Sequence, residues 1–394
     1  MNNFEAPLCA VLGNFSPRLR ENIKEILTDV NFGLSSLNLK INSNLNKTFY
    51  KDYVETYMDS FVVEIPYAGR KLEWEVIFKD EDYSYAPDFE FVNDLFLFDP
   101  DVNVISDHIP SLANWNVEDC KSLKHVITEL LCLYKSLQVM KLQTENRYSR
   151  LYGEYKSLIE AGVSETNVEI FVDDGGIVQF LIGIMVDFSC LPPYIQPGLN
   201  EDSEILNPHV DLATLKISFS KPDCTKVQSN LYLTPRLDQT IGNSTNLCIP
   251  SYNKDATLPS YVSDVTKLLK DQVERVANHH KLKNEYITTL VTQCGSNIIE
   301  YDNMLFTKVT LLFSINNIYA IVHISLSNKF PQDKPKVMLR SIYNLQNDKP
   351  FHRILEDYPY YYEWKCDRMI KRLLHFLQEQ IPKFQATAQH NFSI

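Results

Sequence analysis

Apolar positions along the chain switch between helical spacing and strand-like runs, and they do so in a repeating order. Leu19, Ile23, Ile26, Leu27 and Val30 share one helical face, with Ser16 placed to cap the helix and Pro17 suited to its first turn. Strand-like runs follow at 61–65 and 72–78, joined by the turn Pro66-Tyr67-Ala68-Gly69. A turn at 82–87 (DYSYAP) precedes a short strand at 89–92. A loop with several acidic residues then leads to Trp115. Behind it Leu123, Ile127, Leu130, Tyr134 and Leu137 mark a long helix.

The end of the chain repeats this order. A helix from about residue 263 carries Val265, Leu269, Val273, Val276 and Ile287 in phase. Strands follow at 306–315 and 319–326, then the turn 330–335 (FPQDKP) and a strand at 337–339. The aromatic loop Tyr358-Pro359-Tyr360-Tyr361-Tyr362 leads to Trp364. A closing helix bears Ile370, Leu373, Leu374, Leu377 and Ile381. Pro87 precedes Trp115 by 28 residues, and Pro335 precedes Trp364 by 29. A repeated supersecondary unit explains this economically.

The middle predicts a helix over 143–161 and strands at 168–172, 178–186, 214–219 and 230–233, with a double proline at Pro192-Pro193. Helix, meander and proline read as a third, worn copy. The expected domains are therefore 1–142, 143–259 and 260–394.

Composition narrows the function classes. The net charge of -12 disfavours nucleic acid and anionic membranes, both of which select for basic surfaces. Eight cysteines without a C-x-x-C pair argue against zinc ribbons and thioredoxin-like sites, and read as reduced intracellular thiols. The first fifteen residues lack a secretory pattern, and no run reaches the roughly 18 apolar residues of a membrane span. The expectation is a soluble protein of cytoplasm and nucleus, in which the sequons at Asn46 and Asn243 carry no meaning.

Helix, four-strand meander, proline turn, tryptophan, helix resembles the ubiquitin-conjugating (UBC) fold. The segments ending at Pro87 and Pro335 look like its proline turn, and Trp115 and Trp364 like its tryptophan. The expected fold class is α+β: tandem UBC-like domains of UEV or RWD type, each an antiparallel meander flanked by helices. Val117 stands where that pattern has a proline.

A longer resemblance is to the BRE family, brain and reproductive organ-expressed proteins. It is carried by Ile65-Pro66-Tyr67-Ala68-Gly69 with Trp74, by Val186-Asp187-Phe188-Ser189, by 231–250 (LYLTPRLDQTIGNSTNLCIP), by 300–308 and by 357–364. The resemblance implies a non-catalytic adaptor in a deubiquitinase complex of BRISC or breast-cancer-associated A type. Its partners would be an Abraxas-like scaffold, a JAMM-type zinc deubiquitinase and a von Willebrand A-type subunit. The assembly would cleave ubiquitin chains linked through lysine sixty-three, in DNA-damage responses, mitosis and receptor deubiquitination. The alternative is a stand-alone ubiquitin-binding UEV module, with polyubiquitin itself as partner.

The residues fit an adaptor. A conjugating enzyme needs a thiolate between the proline turn and the tryptophan, and neither window contains a cysteine. Cys120 and Cys366 follow the tryptophans at helix starts, where packed thiols are the commoner reading. The nine histidines include no H-x-H pair, and adjacent His279 and His280 diverge on a helix, so no zinc site is expected. Asp173-Asp174-Gly175-Gly176 reads as a hairpin turn. Residues 241–245 lack the lysine of a P-loop, and no G-x-S-x-G occurs. No cofactor is expected. The candidate partner-binding residues are Tyr358, Tyr360, Tyr361 and Trp364, on an aromatic face suited to a proline-containing peptide; the competing reading is a lid over the last core.

Overall fold

A computed structural model describes residues 5–28, 32–35, 38–42, 57–79, 82–92, 96–97, 101–193, 211–221, 226–242, 247–253, 255–315, 318–346 and 349–390. Val30, Asn46, Asn243, Cys224 and the polar loop 194–210 lie outside them. The class is mixed α+β with antiparallel sheets. The chain separates into two compact units: Met1–Val186 with Gly198–Leu268, and Asp187–Pro197 with Leu269–Ile394.

The first unit holds two four-stranded meanders. One comprises β1 (Lys40–Asn42), β2 (Ser60–Tyr67), β3 (Arg70–Ile77) and β4 (Asp88–Val92), in chain order. The β2–β3 turn needs left-handed backbone, supplied by Ala68 (φ 48°) and Gly69 (φ 73°). Helices α1 (Glu5–Leu12) and α2 (Arg20–Thr28) come before it. The short α3 (Val102–His108) and α4 (Pro110–Ala113) and the long α5 (Ser122–Thr144) come after it. On α5, Leu123, Val126, Ile127, Leu130 and Tyr134 form the buried stripe and join Phe61, Val63, Trp74 and Val76 in one core. Each such side chain contributes on the order of 2 kcal/mol of burial. α2 begins later than the Ser16–Pro17 signal predicts. Leu19 N–H bonds Ser16 C=O instead, so residues 16–19 form a turn that the helix follows.

The second meander follows α6 (Ser149–Glu160) and consists of β5 (Val168–Val172), β6 (Val178–Ile184), β7 (Ala213–Phe219) and β8 (Val227–Leu233). The helix predicted over 143–161 is in fact split, because α5 continues to Thr144 and a 3-10 turn intervenes. Asp173–Gly176 is the predicted hairpin turn, with Gly176 at φ 90°.

The two meanders meet at a polar seam. Glu169, only 4% exposed, accepts from Leu34 N–H and Ala68 N–H, both at 2.6 Å. Burial raises its pKa, outweighing these two bonds and the pull of Lys135. Gly33 stands beside it at φ 81°, and a Cβ there would lie 2.5 Å from Glu169 Oε1. Tyr67 Oη donates to Ile170 C=O, the Arg70 guanidinium lies 4.2 Å over the Phe171 ring, and Gln138 of α5 accepts from Val172 N–H. Chain segments over a hundred residues apart are thereby held in register.

α7 (Pro235–Ile241) ends at Gly242 in the left-handed region, and α8 (Leu258–Cys294) starts before the predicted residue 263. In the second unit the five-stranded sheet has the order β13-β12-β11-β10-β9. Its strands are β9 (Ile298–Tyr301), β10 (Lys308–Ile315), β11 (Ile318–Ser325), β12 (Lys336–Gln346) and β13 (Lys349–Leu355). β10 starts after the predicted 306 because Phe306 adopts φ 53°. β12 is far longer than 337–339, and β9 and β13 are additions to the predicted set. Val309, Leu311, Val322, Ile324, Val337 and Leu339 face Ile370, Leu373, Leu377 and Ile381 of α9 (Cys366–His390) in a single core.

Candidate functional site

The aromatic segment before α9 divides into two parts. Tyr358 is 4% exposed and its hydroxyl donates to Pro335 C=O. The Tyr360 hydroxyl donates to Pro331 C=O, next to the cis Phe330–Pro331 bond. Lys334 donates to Glu356 C=O and, at 2.7 Å, to Tyr358 C=O, with its ammonium 4.0 Å over the Tyr358 ring. Burial pushes the Tyr358 phenol far up and that of Tyr360 up to about 12, so both stay protonated donors. These two candidates are lid residues that clamp the proline turn.

The other part faces outward. Tyr361 and Tyr362 are nearly half exposed, with ring centroids 5.2 Å apart. Half-buried Trp364 lies 6.3 Å from Tyr361, and the Arg368 guanidinium sits 4.7 Å over its indole. The surface presents three adjoining rings and one cation. Of the four predicted residues, Tyr361 and Trp364 belong to it; Tyr362 is the addition, signalled only by its place in the tyrosine run.

Cys366, at the start of α9, is buried. Burial first, then the neighbouring Glu285 carboxylate, push its thiol up to about 11. At neutral pH it is a thiol and therefore a poor nucleophile. The histidine pair lies on α8 and diverges: His280 bonds Met304 C=O. No group of three His, Cys, Asp or Glu side chains able to hold a metal occurs among the described residues. No described helix is long and apolar enough to cross a membrane.

One polar cluster escapes the sequence pattern. Glu300, Thr310 and His323 are successive cross-strand partners on β9, β10 and β11. Thr310 Oγ1 donates to Glu300 Oε1 at 3.1 Å and lies 3.0 Å from His323 Nδ1. With the hydroxyl proton given to the carboxylate, Nδ1 must be the donor to Oγ1, which leaves Nε2 as an acceptor. Burial and then the charge of Arg340 lower the His323 pKa, so the ring stays neutral.

The family model for brain and reproductive organ-expressed protein (BRE) matches residues 13–345. A zebrafish (Danio rerio) protein named "BRISC and BRCA1-A complex member 2" is 32% identical, covering 99% of both chains. A lancelet (Branchiostoma floridae) protein of the same name is 30% identical over 95% of this chain and 96% of its own. Near-complete coverage in both directions, with the family model spanning both compact units, fixes the assignment: the chain belongs to the brain and reproductive organ-expressed protein (BRE) family.

Proposed function

We propose that this chain is a non-catalytic adaptor subunit of a BRISC- or BRCA1-A-type deubiquitinase complex. The observation that carries the reading is end-to-end similarity to two proteins named as members of those complexes. Three antiparallel meanders with flanking helices support tandem UBC-like domains as its architecture. A buried, protonated Cys366 supports a fold used without its thiol chemistry. In this reading the chain bridges an Abraxas-like scaffold and a JAMM-type zinc deubiquitinase to a von Willebrand A-type subunit. The assembly cleaves lysine-sixty-three-linked ubiquitin chains in nucleus and cytoplasm, in DNA-damage responses, mitosis and receptor deubiquitination. The rings of Tyr361, Tyr362 and Trp364 receive a proline-containing partner segment, since aromatic anchors dominate such contacts.

The test is affinity isolation of the tagged chain, with mass spectrometry and a ubiquitin-chain cleavage assay. Co-purified JAMM-type and von Willebrand A-type subunits, with zinc-dependent cleavage that the isolated chain lacks, are the expected result. Recovery of the chain alone, or bearing a thioester-linked ubiquitin, would overturn it.

A further inference from the structure

The two outer strands of the second unit's sheet differ in charge. β9 carries Glu300 and no basic residue. β13 carries Lys349, His352 and Arg353 and no acidic residue, and β12 beside it adds Lys336 and Arg340. In a chain of net charge -12 this is a local reversal of sign. No ion pair among the described residues neutralises these cations.

β13 is open in two further respects. His352, Arg353 and Ile354 are all exposed, while Phe351 and Leu355, which share a face with Arg353, pack on the core, so the strand is seated on the unit and its side chains 352–354 still reach solvent. An antiparallel strand bonds each neighbour through alternate residues, and β13 has β12 on one side only. Among the described residues its remaining backbone groups bond to nothing else.

The hairpin is also held out firmly. β11 pairs with β12 only as far as Ser341; beyond a register shift the end of β12 runs on with Lys349 and Pro350 of β13 as a two-stranded ribbon, while residues 352–355 of β13 form the edge of the full sheet. Ser341 Oγ accepts from Tyr343 N–H and Asn344 N–H and donates to the buried Gln385 of α9. Gln385 in turn donates to Tyr319 C=O at 2.8 Å. This anchors the ribbon's base. Ile342, Tyr343 and Leu345 stand 50–58% exposed on it, and Ile354 is 41% exposed on the neighbouring sheet edge. A bare two-stranded ribbon is marginal without further packing.

We propose that β13 is a docking edge for an acidic, extended segment of another protein, which adds as a sixth strand with its apolar side chains against the ribbon. Charge on an edge strand can also serve only to prevent such pairing. A purely protective edge has no use for large exposed apolar side chains beside its charges, whereas a binding edge does.

The test titrates the full-length chain against three capped, fluorescein-labelled octapeptides, read by fluorescence anisotropy. One alternates Glu and Val, one alternates Lys and Val, and the third is the Glu-Val peptide N-methylated at alternate residues. Saturable binding of the first is expected, with the lysine peptide at least about tenfold weaker and the methylated one lost, because strand addition needs backbone N–H donors. R353E should cut affinity about tenfold. Equal binding of the lysine or methylated peptide would sink the proposal. So would absence of saturable binding by the acidic peptide, or its displacement by a single-stranded oligonucleotide at equal charge concentration. The peptide arms use the unaltered chain, so they decide the matter even where R353E misfolds.

Discussion

The first and last sheets solve one problem with different residues. Each has a proline-ended turn after its third strand-like segment and a long helix some thirty residues on, and each must tie the intervening loop back to the turn. In the first sheet Trp115 does so: its Nε1 donates to Tyr83 C=O at 3.0 Å and its ring packs on Phe78. In the last sheet Tyr358 and Tyr360 do it through their hydroxyls, and Lys334 reinforces them. Because the tyrosines take over the clamp, half-buried Trp364 packs on the edge of the core and turns its remaining face toward Tyr361. Matching spacing therefore does not mean matching roles. Both tryptophans pack on their cores, but only Trp115 ties its loop to the proline turn.

The sharpest way to break the last clamp is Tyr358→Ala. It removes a buried ring, a hydroxyl bond and the partner of Lys334, and should cost about 4 kcal/mol by urea denaturation. A loss below about 1 kcal/mol would mean the lid is not a clamp.

The first unit has a device the last sheet lacks, the Glu169 seam. Glu169→Gln keeps the shape but sets an amide NH2 against one of two buried N–H donors, a loss of about 2 kcal/mol. The pH dependence has a definite sign. A carboxyl whose folded pKa is raised binds its proton more tightly when folded. Its contribution is fully present below the unfolded value near 4.5 and declines as pH rises through the higher folded value. The stability difference between wild type and E169Q should therefore shrink from pH 4.5 toward neutrality and then level. A difference that grows with pH would show that the two N–H bonds outweigh burial.

How far the sequence reveals these devices follows from their range. The meanders are legible because buried strands such as 61–65 and 178–184 are near-continuous apolar runs, and α5 and α9 show clean helical stripes. β13 is not, since KPFHRIL buries only Leu355 fully, half-buries Pro350 and Phe351 side by side, and so has no period to read. Glu169 resembles a solvent-facing position in a strand. Its donors lie 135 and 101 residues away, and no local pattern reports them. The aromatic run of the candidate site is visible in the sequence, but its division is not, because Pro331 and Pro335 select which tyrosines turn inward.

A milder change tests the first clamp. Trp115→Phe retains most of the packing on Phe78 but loses the bond to Tyr83 C=O. It should cost about 1 kcal/mol, seen as a fall of a few degrees in Tm. Tyr360→Phe, which removes one hydroxyl from the other clamp, should match it. If the tyrosine change cost nothing while the tryptophan change did, the second clamp would rest on Tyr358 alone.

The smallest expected effect on stability carries the most information about function. Tyr361 and Tyr362 are 46% and 48% exposed, and no clamp bond involves their hydroxyls. Replacing either with alanine should change the unfolding free energy by less than about 0.5 kcal/mol. If these rings and Trp364 anchor a partner segment, the same changes should weaken recovery of that partner several-fold from cells, with melting curves unaltered. Tyr360→Ala cannot make this distinction, because it breaks the clamp and the surface together. Loss of partner without loss of stability would assign the outer rings to binding. Unchanged recovery would leave them as the exposed rim of a lid and reject the partner groove.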